Sequence, residues 1–307
     1  MRDLRRAALQ QDGILDRLDG ITIAVATEAL ARESPPAPTI LRFLLRRYAM
    51  TGQQRLEAVL GPSLARALDA YGRGSAEPAR SDWLLLCVDA ATRSQDERPR
   101  NTAAALAANA RRDWPCESGA VTSVAMRSIG ACLRASDICI DREETRGLIA
   151  DAVDELERIV GPLYRPGQGV AHTVNEPASA RDNLADQVHA ASALLDAYER
   201  TGRLPYSMLA EELMQFALNL EPGTLEPGTL EPFLSSCEAI RVLCRIAALH
   251  KDAAYRAAAV IAPDRDYLLE AERLLDQLAG GRREYNAAAE ADYGLALVDW
   301  LTLSHRE

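Results

Sequence analysis

The sequence predicts an all-α protein, a toroid of about six helical hairpins with one short β-like hairpin between helices. Three observations carry that expectation. The 307 residues divide into roughly twelve Ala/Leu-rich amphipathic segments cut by Gly, Pro and Asp breaks. The pattern L-L-x-x-Y-x-x-T-G occurs at Leu44–Gly52 and again at Leu194–Gly202, 150 positions apart, with a fainter copy from Leu243 to Asp252. Both offsets approach multiples of about 50 residues, the size of a helical hairpin with its loops, and six such units fill the chain. Strand character is confined to residues 163–174, where Gly167 and Gly169 suit a tight reversal.

The segments follow in order. Residues 14–32 are helical in pattern and stop at Pro35-Pro36-Ala37-Pro38, which also delivers the next helix, 39–50, with proline at its start. That helix ends at Thr51-Gly52, and 56–71 ends at Gly72. Ser81 suits the N-cap of 81–92 and Asn101 that of 102–112. Then come 121–138, 143–160, 184–200, 206–218, 234–250, 255–278 (with a break expected near Pro263) and 286–303. Residues 221–232 belong to a tandem duplication, L-E-P-G-T-L-E-P-G-T-L-E-P. Its Pro-Gly pairs favour type II turns, so it reads as a loop of tolerant length, from copying slippage or as a partner-binding loop. A single domain over 1–307 is expected.

Composition excludes more than it identifies. The formal charge is −10 and only 5% of residues are aromatic. A net-acidic surface repels phosphate backbones and anionic lipid, so neither nucleic acid nor membrane is an expected partner. No apolar signal core follows Met1-Arg2-Asp3-Leu4-Arg5-Arg6, and a cytoplasmic location is expected. Cys132 and Cys139, like Cys237 and Cys244, stand seven apart within helical pattern. A helix carries such a pair about 10.5 Å apart, too far for a disulfide. No CxxC is present, and reduced, buried thiols are expected. The oligomeric state is not legible.

Several stretches resemble a known family. Pro38-Thr39-Ile40-Leu41-Arg42-Phe43-Leu44-Leu45-Arg46-Arg47-Tyr48 followed by Thr51-Gly52, Leu184-Ala185-Asp186-Gln187 running into Ala193–Gly202, Glu238–Ala247, and Tyr293-Gly294-Leu295-Ala296-Leu297 together resemble the helical part of thioredoxin-domain-containing proteins of the spermatogenesis-associated type. The resemblance implies an (α/α)6 toroid, similar to N-acylglucosamine 2-epimerases and six-hairpin glycosidases. No thioredoxin domain is expected before the helices, and of the family's Gly-, His- and aromatic-bearing stretch only the glycines and Trp83 remain within 72–85.

No nucleotide, zinc-protease or nucleophile-elbow motif occurs, and no cofactor or metal is expected. The strongest constellation is Tyr164, Arg165, His172, Arg181, Asp182, Asp186 and His189. Asp186 and His189 are i and i+3 on one helix face. His172 and His189 with Asp186 form a candidate base for proton removal beside a carbonyl. Arg165, Arg181, Asp182 and Tyr164 would bind the ligand, and Trp83 offers a stacking platform for a sugar ring. Against this stands a structural reading: Asp182 or Asn183 as helix cap, Asp186 as a first-turn acid, His189 as a packed side chain. Asp141-Arg142-Glu143-Glu144 reads as a cap with its acidic first turn, and the Cys116 thiol falls in a loop. The expected function is that of a non-catalytic or degenerate toroid that binds a sugar-like ligand or a protein partner; the alternative is a carbohydrate-active, epimerase-like isomerase. If a site exists, His172 and His189 should open onto one cavity with Asp186 in reach of both.

Overall fold

The computed structural model describes the chain except Met1 and residues 32–33, 73–79, 115–119, 221–229, 281–284 and 305–307; at 2–12, 72 and 80 only the backbone is described. The described residues form thirteen α-helices: α1 (Arg2–Ala31), α2 (Pro38–Thr51), α3 (Gln54–Gly72), α4 (Arg80–Ala91), α5 (Glu97–Asp113), α6 (Thr122–Ala135), α7 (Arg142–Leu163), α8 (Leu184–Thr201), α9 (Leu204–Leu218), α10 (Leu230–Lys251), α11 (Ala253–Ala259), α12 (Tyr267–Gly280) and α13 (Ala287–Ser304). Between α7 and α8 lies the expected excursion, a two-stranded antiparallel hairpin of β1 (Tyr164–Arg165) and β2 (Gly169–Val170) with Tyr164 opposite Val170.

The repeated L-L-x-x-Y-x-x-T-G pattern is a helix ending. In α2 and α8 the threonine hydroxyl donates back to a carbonyl one turn earlier, Thr51 to Arg47 and Thr201 to Ala197. The next residue, Gly52 or Gly202, then turns left-handed (φ 63° and 68°) and its N–H closes on the tyrosine carbonyl at 2.8 Å.

Some boundaries differ from the sequence reading. Asp96, not Asn101, caps α5, its carboxylate accepting from the Arg98 N–H at 2.9 Å. Segment 255–278 divides because Asp252 caps α11 at once, and Pro263 falls in the gap before α12. Helix α6 tightens into a 3-10 turn over Ser136–Ile138. Helix α10 begins at Leu230, so the duplicated stretch ends inside its first turn, where proline is tolerated; residues 221–229 lie outside the described part.

Helices α2, α4, α6, α8, α10 and α13 pack side by side in that order, and α13 returns to α2. The inner ring is thus closed. Outside it, α3, α5, α7, α9 and α12 each cover the inner helix before them, while α1 covers α13. Buried Ile14, Leu18, Ile21, Val25 and Ala29 make that stripe on α1 at the three-and-four spacing a helix needs. The fold is the (α/α)6 toroid. Connections from inner to outer helices are short, such as 52–53 and 202–203; those from outer to inner helices are longer, up to 164–183. No described helix is long and apolar enough to cross a membrane.

Candidate functional site

The inner ring leaves a bore with two chambers. Early residues of all six inner helices line a cavity of about 100 Å³, among them Arg42, Asp82, Arg127, His189, Glu238 and Asp292. Late residues of the same six helices line a wider bowl of about 650 Å³ at the other end. Arg134, Asp196 and Arg241 line both and so separate them.

An unbroken circle of arginine–carboxylate pairs surrounds this axis, one at every contact between neighbouring inner helices. Arg42 on α2 meets Asp89 on α4 at 2.9 Å, and Asp82 on α4 meets Arg127 on α6 at 2.7 Å. Arg134 on α6 meets Asp196 on α8 at 2.9 Å, and Asp196 also takes Arg245 from α10 at 2.8 Å. Arg241 on α10 meets Asp299 on α13 at 3.0 Å, and Asp299 reaches back to Arg46 on α2 at 2.5 Å. The most buried of these charges, Asp196 and Arg42, are tolerated because each has a close partner. Glu238, held by Arg241 at 2.7 Å and by the Ser192 hydroxyl, shows the effect. Burial alone would raise its pKa, yet Arg241, His189 and Arg134 hold it well below the carboxylate range.

Two cavity groups stand apart. Asp292 and His189 accept or donate no hydrogen bond among the described residues, although both face the same cavity. Burial, reinforced by the nearby Asp82 carboxylate, pushes Asp292 up to about 7. Burial pushes His189 down to about 4. Near neutral pH the cavity therefore holds an uncharged imidazole and a carboxylic acid that keeps much of its proton, beside the Asp82–Arg127 pair. That combination can donate a proton and accept one.

The sequence-predicted constellation separates into three places. His172 Nδ1 meets Asp186 Oδ2 at 2.6 Å, and Asp186, fully buried, also accepts from the Ser123 N–H at 2.8 Å. Burial raises the Asp186 pKa against the pull of His172 and Ser123. His189 stands one turn deeper on α8, about 5 Å along its axis, in the central cavity. His172 does not line that cavity, so the expectation of one chamber shared by both histidines, with Asp186 serving either, is corrected: the carboxylate pairs with His172 alone. The cause is the excursion itself, which bonds to the start of α6 (Thr122 N–H to His172 O, 2.8 Å) and so lies over the rim.

The proposed ligand-binding residues are mostly framework. Arg181 donates to the carbonyls of Leu163, Gly169 and Pro177, closing the excursion on itself. Gln187 bonds Val170 from both ends of its amide, and a Cβ at Gly169 would stand 2.3 Å from its oxygen, which explains that glycine and its φ of 72°. Asn183, not Asp182, caps α8; Asp182 and Arg165 are exposed. Tyr164 is half-buried beside Glu212, which together with burial raises its pKa. Trp83 is 4% exposed and packs on Tyr71 at 5.9 Å between centroids, inside the wall and away from the cavity. It offers no stacking platform there, and among the described residues no Phe, Tyr or Trp side chain lines the cavity. Cys132, Cys139, Cys237 and Cys244 are free thiols; Cys116 lies outside the described residues.

Asp82, Arg127, Glu238, Arg241 and Asp292 were not singled out from sequence. The available signal was position: each is a charged residue on the core-facing stripe of an amphipathic segment, where a charge needs a partner or a role.

No family profile matches the chain, and no curated relative matches it. Solved structures do. An unsaturated glucuronyl hydrolase specific for heparin is similar with a TM-score of 0.67 at 12% identity, covering 94% of this chain and 98% of that one. An inactive variant of the α-1,6-mannanase of Salegentibacter sp. HEL1_6, bound to α-1,6-mannotetrose, gives 0.65 at 11% identity over 87% and 88%. The unsaturated glucuronyl hydrolase of Bacillus sp. GL1, which acts in glycosaminoglycan degradation, gives 0.61 at 14% over 85% and 84%. Such likenesses carry the fold alone. The mannanase variant is inactive with two consecutive aspartates replaced; this sequence has no two consecutive aspartates.

Proposed function

We propose that this toroid is a carbohydrate-active hydrolase whose reactive centre is the central cavity, with Asp292 as proton donor and Asp82 as the partner carboxylate. The observation that carries the reading is the unpartnered, proton-retaining Asp292 facing one cavity with the arginine-paired Asp82. Glycoside hydrolysis asks for that division of labour. Asp292 gives its proton to the glycosidic oxygen as the carbon–oxygen bond breaks. Water adds to the anomeric carbon, and its proton passes to Asp82. Oligosaccharide binding and hydrolysis by similarly folded proteins support the substrate class.

The isomerase alternative would place its base at the His172–Asp186 pair. That pair lies at the rim, outside the cavity lining, and His189 is separated from it, so the carboxylate centre is the better-supported machinery. A second reading, a sugar-binding toroid without turnover, is favoured by one fact: among the described residues the cavity has no Phe, Tyr or Trp on which a sugar ring could stack. Kinship with the spermatogenesis-associated thioredoxin-domain proteins belongs to this proposal too, on the strength of the motifs given above.

The deciding assay measures hydrolysis of hexosides with nitrophenyl and with methyl leaving groups by the parent chain, Asp292→Asn and Asp82→Asn. Loss of a general acid lowers kcat by about 10²- to 10⁴-fold on methyl hexosides and much less on nitrophenyl hexosides, whose leaving group needs no proton. Equal rates for the parent chain and Asp292→Asn on both would overturn Asp292 as the acid. Specific sugar binding with no turnover by the parent chain would establish the second reading.

A further inference from the structure

On the reading that the central cavity is the saccharide site, we infer that it accepts one uncharged sugar residue at the end of a chain, making the protein exo-acting on neutral saccharides. Three features of the bore carry this.

The bore is blind. The layer formed by Arg134, Asp196 and Arg241 lines the cavity on one side and the bowl on the other, and its ion pairs tie α6 to α8, α8 to α10 and α10 to α13. A polysaccharide would have to displace this layer to thread through the ring, so a chain enters by its tip. The cavity is also small. About 100 Å³ is room for roughly seven waters, the displacement of one sugar ring and not two.

The third feature is charge. Four arginines line the cavity, and each already has a carboxylate: Arg42 has Asp89, Arg127 has Asp82, Arg134 has Asp196, and Arg241 has both Glu238 and Asp299. Among the described residues, a uronate or sulfate in the cavity would find no uncommitted cation and would meet the Asp82 and Glu238 carboxylates. Among the described lining residues, the titratable groups left without a hydrogen-bond or ion-pair partner are Asp292 and His189, a carboxyl and an imidazole suited to hydroxyls. This chain would thus differ in substrate class from the glucuronyl hydrolases that share its fold.

The test has two arms, both with the full chain. Isothermal titration compares methyl α-mannoside, methyl β-glucoside and methyl β-galactoside with mannuronate, glucuronate and galacturonate. At least one neutral sugar should bind tenfold or more tightly than its uronate, and Asp292→Leu or His189→Phe should weaken that binding at least tenfold. Asp292→Asn, which keeps the shape, serves as the comparison if the bulkier variants unfold. The second arm digests a reducing-end-labelled tetrasaccharide of the hexose that binds and reads the products by mass; one residue should leave at a time. Uronate binding that equals or exceeds neutral binding and depends on Asp292 overturns the ligand class and leaves the cavity reading intact. Internal cleavage overturns the terminal-residue inference. Sugar binding indifferent to the substitutions, or no binding by any of the six at tens of millimolar, overturns the cavity reading as well.

Discussion

Asp196 receives guanidinium groups from three directions, Arg134 on α6, Arg245 on α10 and Arg200 on its own helix, while its side chain is 3% exposed. Removing it strands several positive charges, so Asp196→Ala should cost about 3–5 kcal/mol in denaturant unfolding, far more than removing an exposed acid such as Asp137. Asp292 behaves in the opposite sense. Its folded value of about 7 lies above the ordinary 3.8, so between those pH values the folded chain binds a proton that the unfolded chain has released. This group's stabilisation is complete below about 4 and is lost as pH rises through 7. Asp292→Asn should flatten that decline and leave the variant more stable than the parent at pH 8 by thermal melting. His189, held down to about 4, runs the other way, its contribution falling as pH drops from 6.5 through 4. In the hydrolase reading, activity should fall on the alkaline side near pH 7, and a rate profile would show it. The sequence made the histidines conspicuous because they are few. Asp292, one acid among 45, became distinct only once folding had withdrawn it from water beside another carboxylate.

Helix ends and helix contacts were more legible. The repeated Thr-Gly ending marks where α2 and α8 stop, because a left-handed residue there favours glycine; Gly202→Ala should cost about 1 kcal/mol, read as a lowered denaturation midpoint. Gly294 has a different reason. A Cβ there would stand 2.4 Å from the Phe43 ring, so α13 approaches α2 closely only through a glycine. Gly294→Ala should cost about 1–3 kcal/mol through overpacking, and Phe43→Leu in the same chain should recover part of it. No pattern within either segment could report this contact, since the two residues lie at opposite ends of the sequence. The excursion shows the same limit. Its glycines announced a hairpin, but Arg181 looked like a ligand-binding residue because nothing local reveals that three carbonyls would turn towards it.

At the scale of the molecule, period and helix number were enough to foresee a toroid, and the circle of ion pairs was not, since each pair joins residues from different hairpins. Closure distinguishes this ring from an open stack of hairpins, whose end units lose stability first. Leu18 on α1 and Leu195 on α8 are both fully buried. Leu18→Ala and Leu195→Ala should therefore cost comparable amounts, about 2–5 kcal/mol, whereas a frayed end would make the first much smaller. The charged circle also gives the ring an unusual response to warming. Water's hold on isolated ions weakens with temperature, so the penalty for keeping arginine and aspartate dry shrinks just as the gain from burying leucine levels off. The axis of this molecule is thus relatively weakest in the cold and firms as the surrounding layer begins to loosen.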